Sequence, residues 1–234
     1  MKPIAIFRFT ATEGPGYFAE FLDAHALSWM LIKVDAAERI PGDVTQFSGV
    51  VLMGGPMSVN DSLSWIGSVL SLIRDAVAHD IPVLGHCLGG QLMSKALGGV
   101  VTKNAVKEIG WGAVSVSDSE AARTWFGDYK NVTVFHWHGE TFSLPKGAAH
   151  LLASQHCTNQ AYALGKHLAL QCHVEMTEPM IQAWCENGAD EMLASSDSAG
   201  VQTAGAILGG TAQHLQRLHR LADRVYAEWV KGLV

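Results

Sequence analysis

Charge is scarce in this chain. Asp, Glu, Lys and Arg make up 16% of its 234 residues, against 48% hydrophobic residues, enough apolar material for a sheet buried on both faces. Basic residues are fewer than acidic ones, 16 against 22, and the net charge is −6. With no basic run, nucleic acid and anionic membrane surfaces drop out as expected partners. No uninterrupted apolar stretch approaches the ~18 residues of a membrane helix. The apolar part of Met1–Phe9 is too short for a signal peptide and is broken by Arg8, so it reads as a first strand. Cysteine is limited to Cys87, Cys157, Cys172 and Cys185, too sparse for a disulfide framework, and a reducing cytoplasm is expected. There is no G-x-x-x-x-G-K-[ST] phosphate loop, no H-E-x-x-H and no pair of C-x-x-C motifs. No repeat or composition break divides residues 1–234, which are expected to form a single domain without a cofactor.

What is present alternates. Ile4–Phe9, Trp29–Asp35, Val50–Met53 and Pro82–Cys87 read as strands, with helices over Gly16–Ala26, Trp65–His79 and Leu88–Leu97 between them. This pattern predicts an α/β fold: a doubly wound, mostly parallel sheet covered by helices on both faces, with a site at the carboxyl ends of the strands. Lys107–Val116 and Val132–His136 read as a mixed or antiparallel extension. From Thr211 onward, Leu215, Leu218, Ala222, Val225 and Trp229 recur at helical spacing and predict an amphipathic helix packed on the sheet. Ser195–Gly200 reads as the turn before it.

The most informative stretch is Pro82-Val83-Leu84-Gly85-His86-Cys87-Leu88-Gly89-Gly90-Gln91-Leu92. A reactive side chain between an apolar strand and a helix has the form of a nucleophile elbow, with cysteine where other hydrolases place serine. Such a turn is tight, so its neighbours must be small. The following helix directs unpaired N–H groups and a partial positive charge at the sulfur, the surroundings in which cysteine reacts as thiolate. Taken alone, the same residues also describe a buried structural cysteine beside a glycine turn. A second apolar run, His167-Leu168-Ala169-Leu170-Gln171-Cys172-His173-Val174-Glu175, ends in His-x-Glu. Side chains two apart on an extended segment point the same way, so Glu175 can orient His173, and His173 can serve a cysteine as base and acid. Gly54-Gly55-Pro56 follows the run Val50–Met53 and offers backbone N–H groups at a strand end; on its own it is equally an ordinary turn.

With these segments in order, together with Met53-Gly54-Gly55-Pro56-Met57-Ser58-Val59 and Phe135-His136-Trp137-His138-Gly139-Glu140-Thr141-Phe142, the chain resembles the class I glutamine amidotransferase family. More narrowly, it looks like stand-alone proteins related to the amidotransferase domain of GMP synthase. The resemblance implies a flavodoxin-like fold and a Cys-His-Glu triad of Cys87, His173 and Glu175. It also implies an oxyanion hole from the N–H groups of Gly55 and Leu88, and a substrate-binding role for Gln91 and the backbone around His136, Trp137 and His138. Two positions depart from the family pattern. Val174 stands where many members carry proline, and His86 where an apolar residue is common; the His86 side chain should project away from that of Cys87, as a structural group.

The implied activity is hydrolysis of the γ-amide of glutamine through a γ-glutamyl thioester, with glutamine or another γ-glutamyl compound as small-molecule substrate. Without an ATP-binding loop, released ammonia would pass to a separate synthase subunit; a self-sufficient γ-glutamyl hydrolase would need none. Trp137 and the loop after Pro56 are expected to wall the leaving-group side. Two rivals remain open: a zinc hydrolase using His136 and His138 with Cys172, His173 and Glu175, and a non-catalytic module on the same fold.

Overall fold

The computed structural model describes residues 2–234. In chain order the elements are β1 (Ile4–Arg8), α1 (Tyr17–Ala24), β2 (Trp29–Lys33), β3 (Gly49–Leu52), α2 (Ile66–Ala78), β4 (Val83–His86) and α3 (Leu88–Ala96). There follow β5 (Val101–Val116), α4 (Glu120–Phe126), β6 (Asn131–Phe142), β7 (Ala149–Ser154), β8 (Ala161–Leu164) and β9 (His167–Leu170). The chain closes with α5 (Glu178–Asn187), α6 (Ala189–Ala194), β10 (Gly200–Val201) and α7 (Ala204–Trp229).

All ten strands join one sheet in the order β10-β5-β7-β8-β9-β4-β3-β1-β2, with β6 paired to β5. The run β2-β1-β3-β4-β9 is parallel throughout. From β9 through β8 and β7 to β5 and β6 the pairing is antiparallel, which is the extension the sequence suggested. The strand residues divide by alternation. Ile4, Ile6, Val51, Met53 and Leu84 join a core layer with Phe18, Phe21 and Leu22 of α1 and Leu218, Leu221 and Val225 of α7. Ala5, Phe7, Val50, Leu52 and Val83 face the other way, onto Val69, Leu72 and Ile73 of α2 and Leu88, Leu92 and Met93 of α3. A strand covered on both faces is apolar toward both, which is why β3 and the Val83–Gly85 part of β4 read as continuous runs.

Differences from the sequence reading lie where side chains do not carry the periodic signal. The last helix begins at Ala204, two turns before Thr211: Thr203 caps it, its hydroxyl accepting from the Ala206 N–H, and Ile207 is already buried. β6 runs on from His136 to Phe142, because its polar residues His138 and Glu140 lie within the ribbon with β5. β7, β8 and the short helices α4 to α6 went unread; the strands are four to six residues long and bounded by loops.

Glycines decide how closely α3 sits on the sheet. A Cβ on Gly89 would overlap the Leu52 carbonyl of β3, and one on Gly85 would lie 2.5 Å from the Gly89 carbonyl carbon. A Cβ on Gly90 would come within 2.7 Å of the Leu170 carbonyl oxygen on β9. Gly209, exposed in α7, has nothing within 4 Å of its would-be Cβ. Gly89→Ala should therefore cost about 3 kcal/mol or prevent folding, whereas Gly209→Ala should stabilise by about 0.5–1 kcal/mol through helix propensity. Urea unfolding of both variants checks the contrast.

Candidate active site

The three strand ends that meet here are those of β3, β4 and β9. Cys87 is the residue between β4 and α3 and holds a left-handed backbone, φ 48° and ψ −106°, uncommon outside glycine. Its N–H donates to the Leu170 carbonyl at 2.8 Å, which ties the turn to β9. Leu88 opens α3, so its N–H has no carbonyl partner within that helix. Gly55 lies against it: a Cβ there would be 2.8 Å from Leu88 Cδ2. The loop after β3 and the start of α3 thus bring Gly55, Leu88 and Cys87 to one place.

His173 and Glu175 follow β9 on an extended segment. A two-way bridge to β6 anchors it, His173 N–H to the Phe135 carbonyl at 2.8 Å and the reverse at 3.3 Å. Glu175 is held from the other side, its carbonyl accepting from the Tyr17 N–H at 2.8 Å. The two side chains then point together, as the two-residue spacing required: His173 Nδ1 lies 2.6 Å from Glu175 Oε1, both residues being almost wholly buried. The ring packs edge-on to Trp184, centroids 4.8 Å apart, leaving Nε2 without a hydrogen-bond partner of good geometry. Burial alone would lower the His173 pKa, but the Glu175 charge, with further contributions from Cys87 and the Glu175 hydrogen bond, raises it well above the ordinary value. For Glu175, burial pushes the pKa up, yet His86 and His173 bring it down to about 2. His86 points away from the cysteine as expected, its Nε2 lying 3.2 Å from the Tyr226 hydroxyl and 3.7 Å from Glu175 Oε2. Burial lowers the pKa of this imidazole, against the raising influence of the Glu175 charge.

The sulfur lies at a cleft of about 500 Å³, within the range of small-ligand sites. Gly55, Gln91, Trp137 and His138 border it together with Cys87. Gln91 is 3% exposed and donates to Gln171 Oε1 at 3.2 Å, while the Gln171 amide lies 3.6 Å from the sulfur. Cys87 Sγ is 3.8 Å from the Trp137 carbonyl, so the backbone of the Trp137 segment does face the thiol. Pro56, Met57 and Ser58 form wall, as expected of the loop after Pro56. His136 is the exception among the expected substrate residues. Trp137 and His138 border the cleft, whereas the His136 ring lies against Gly112 of β5 and does not.

Among the described residues, the side chains grouped suitably for a metal are Glu108, His136 and His138. The expected alternative set does not assemble: Cys172, His173 and Glu175 are not part of that group, because His173 and Glu175 engage each other.

Glu13 and Trp184 also border the cleft and were not read from the sequence. Glu13 sits in the loop after β1, against Gly54 and close to His173. Burial, followed by the nearby charges of Glu175 and Glu191 and opposed by His173, raises its pKa to about 7. Its one sequence signal is its place just beyond a strand's carboxyl end, shared with Gly55 and Cys87. Trp184 came from a helix whose inward face carried no motif. Glu191 holds the Trp137 indole N–H at 2.9 Å and Lys107 at 2.7 Å, closing the rim.

Known proteins resemble this chain, one of them in structure as well as sequence. A glutamine amidotransferase of Methylobacillus flagellatus, known from its crystal structure, is 42% identical and superposes with a TM-score of 0.97 over 100% of this chain and 96% of its own. The glutamine amidotransferase-like protein YfeJ of Salmonella typhimurium is 26% identical over 209 residues, 86% of this chain and 87% of that protein. Gamma-glutamyl peptidase 3 of Arabidopsis thaliana is 26% identical over 178 residues, 71% of each chain. Residues 24–190, which contain the elbow and the His-x-Glu segment, match the class-I glutamine amidotransferase domain, and the chain belongs to that family.

Proposed function

We propose that this chain hydrolyses the γ-amide of glutamine through a covalent γ-glutamyl thioester. The observation that carries the reading is the meeting of Cys87, strained at the N-terminus of α3 and bordering the cleft, with the buried His173–Glu175 pair, whose imidazole is acted on by both the Cys87 thiol and the Glu175 carboxylate. His173 takes the thiol proton, and the Cys87 sulfur attacks the amide carbon. The N–H groups of Gly55 and Leu88 receive the oxyanion; in comparable holes one donor is worth about 100- to 1,000-fold in rate. As the tetrahedral intermediate collapses, the C–N bond breaks and His173 returns its proton to the nitrogen, so ammonia leaves. Water, deprotonated by His173, then attacks the thioester, giving glutamate and restoring the thiol. Glu175 orients the ring and offsets the imidazolium charge throughout. Gln91 and the backbone beside Trp137 hold the glutamyl end. The whole of residues 1–234 acts as one unit in this reading, in a reducing cytoplasm where its free thiols persist, and ammonia passes to a separate synthase subunit.

A second reading is favoured by the size of the cleft. Its outer wall, with the indoles of Trp137 and Trp184 beside Met57, leaves room for an amine larger than ammonia. The same chemistry would then serve a self-sufficient γ-glutamyl hydrolase, an activity that the name of the Arabidopsis relative also states.

Glutamate release from glutamine and from γ-glutamyl amides and dipeptides, measured beside Cys87→Ala, tests both. Turnover should vanish in Cys87→Ala with the fold unchanged, and appreciable residual activity would exclude a covalent route through this sulfur. Faster cleavage of conjugates than of glutamine selects the second reading. Poor turnover of every compound, with Cys87 still alkylated by a glutamine-like electrophile, selects a subunit that acts with a synthase.

The elevated His173 pKa gives a pH signature. The imidazolium that protonates the leaving amine is lost as pH rises through that raised pKa, so kcat/KM should fall on the alkaline side. Glu175→Gln removes the largest raising influence and leaves the burial that lowers the pKa. Its alkaline limb should move to lower pH, with kcat reduced by as much as about 10,000-fold. An unmoved limb would separate Glu175 from the titrating base.

A further inference from the structure

At the cleft's far wall, the paired strands β5 and β6 place three donors on one face, of which His138 also borders the cleft. Glu108 is the register partner of His138, and His136, two residues back along β6, shares the face of His138. Gly110 stands opposite His136, and a Cβ on Gly112 would lie 2.6 Å from the His136 ring, so the ring occupies space that only glycine leaves open. One donor atom from each of Glu108, His136 and His138 lies within 4.8 Å of the others, and all three residues are at most 5% exposed.

The hydrogen bonds around the group turn these donor atoms toward one another. His138 Nδ1 is 3.0 Å from the Glu140 carbonyl, an acceptor only, so Nδ1 carries the hydrogen and Nε2 is the nitrogen that faces Glu108, at 3.1 Å. A ring nitrogen tied to a backbone carbonyl, with its partner turned to a carboxylate, is how metal-ligating histidines are oriented. His136 is buried with neither ring nitrogen in a hydrogen bond of good geometry, its ring lying against Gly112. Such an orphan calls for a partner. Gln160, wholly buried, extends its amide to both Glu108 (2.8 Å) and His138 (3.3 Å), while its Oε1 has no partner. Amide orientation is an assignment, and the flipped rotamer turns Oε1 toward the same point as a fourth donor.

We propose that Glu108, His136 and His138, with Gln160 Oε1, form a binding site for a divalent transition-metal ion of the zinc class. Two imidazoles and a carboxylate suit such ions, and ligands around zinc stand about 3–4 Å apart, a spacing small side-chain rotations reach here. The ion takes no part in the thioester chemistry. It clamps β5 to β6 and to the segment before β8, and so braces the strand whose Trp137 carbonyl faces Cys87.

The test uses wild-type protein and Cys87→Ala, stripped with a chelator, then titrated with Zn²⁺ against a chromophoric chelator and analysed for metal content. One equivalent per chain in both proteins, with a raised Tm, is expected. Substitution by Co²⁺ should give visible d–d bands without the intense near-ultraviolet absorption of a cobalt–thiolate bond. Glu108→Gln and His136→Asn, provided they unfold cooperatively, should each weaken binding roughly 10- to 100-fold or more. If either fails to fold, the stoichiometry and cobalt spectrum of the parent proteins decide. Folded protein that takes up no stoichiometric metal, a thiolate signature, or unchanged affinity in the folded variants would overturn the site.

Discussion

The close seat of α3 on the sheet is the constraint on which the rest depends. Gly85, Gly89 and Gly90 let the first turn of the helix press against the backbones of β3 and β9. The chain can then pass from β4 to α3 only through a sharp turn, and Cys87 absorbs it with a positive φ, a strain of about 1–3 kcal/mol that the packed surroundings must sustain. That conformation projects the sulfur to the carboxyl edge of the sheet, where the first N–H groups of α3 and the loop after β3 also arrive. Relaxing any of the three glycine contacts would move all of these together.

The electrostatics follow from burial. His173 and Glu175 are both removed from water, which disfavours either charge alone; paired at 2.6 Å they stabilise each other as ions, and His86 adds a third group on the carboxylate. A buried pair of this kind is weak evidence for stability, since desolvation offsets much of the attraction. Its value is chemical: the carboxylate stays ionised and favours the imidazolium that forms when His173 takes up a proton. Glu13, near the same imidazole but without a cation bonded to it, shifts the other way, to a pKa of about 7. Two carboxyl groups beside one histidine are thus separated by environment alone.

The antiparallel half of the sheet supplies the cleft's far wall. β5 and β6 are the longest strands, with a register shift between Lys103 and Glu108. Alternation on β6 gives it two faces, with Trp137 toward the thiol and His136 toward Glu108. The predicted stability contrast between Gly89 and Gly209 expresses the same logic from the backbone side: one glycine is required by contact, the other by nothing nearby.

The sequence by itself determined the alternating strands and helices, the elbow at Cys87 and the partnership of His173 with Glu175. Each is a local matter, set by apolar runs, by glycines flanking one cysteine, or by the two-residue period of an extended chain. The family resemblance that its motifs carry also pointed to Gly55, Gln91, Trp137 and His138, which border the cleft. Only the tertiary structure decided which side of β6 His136 serves, that Glu13 and Trp184 reach the cleft, and that Glu108 meets His138. Glu13 is 160 residues from His173, and Glu108 is 30 from His138. Nothing in a one-dimensional pattern records such meetings, because strand order and register set them, and register is the product of burying the whole sheet at once.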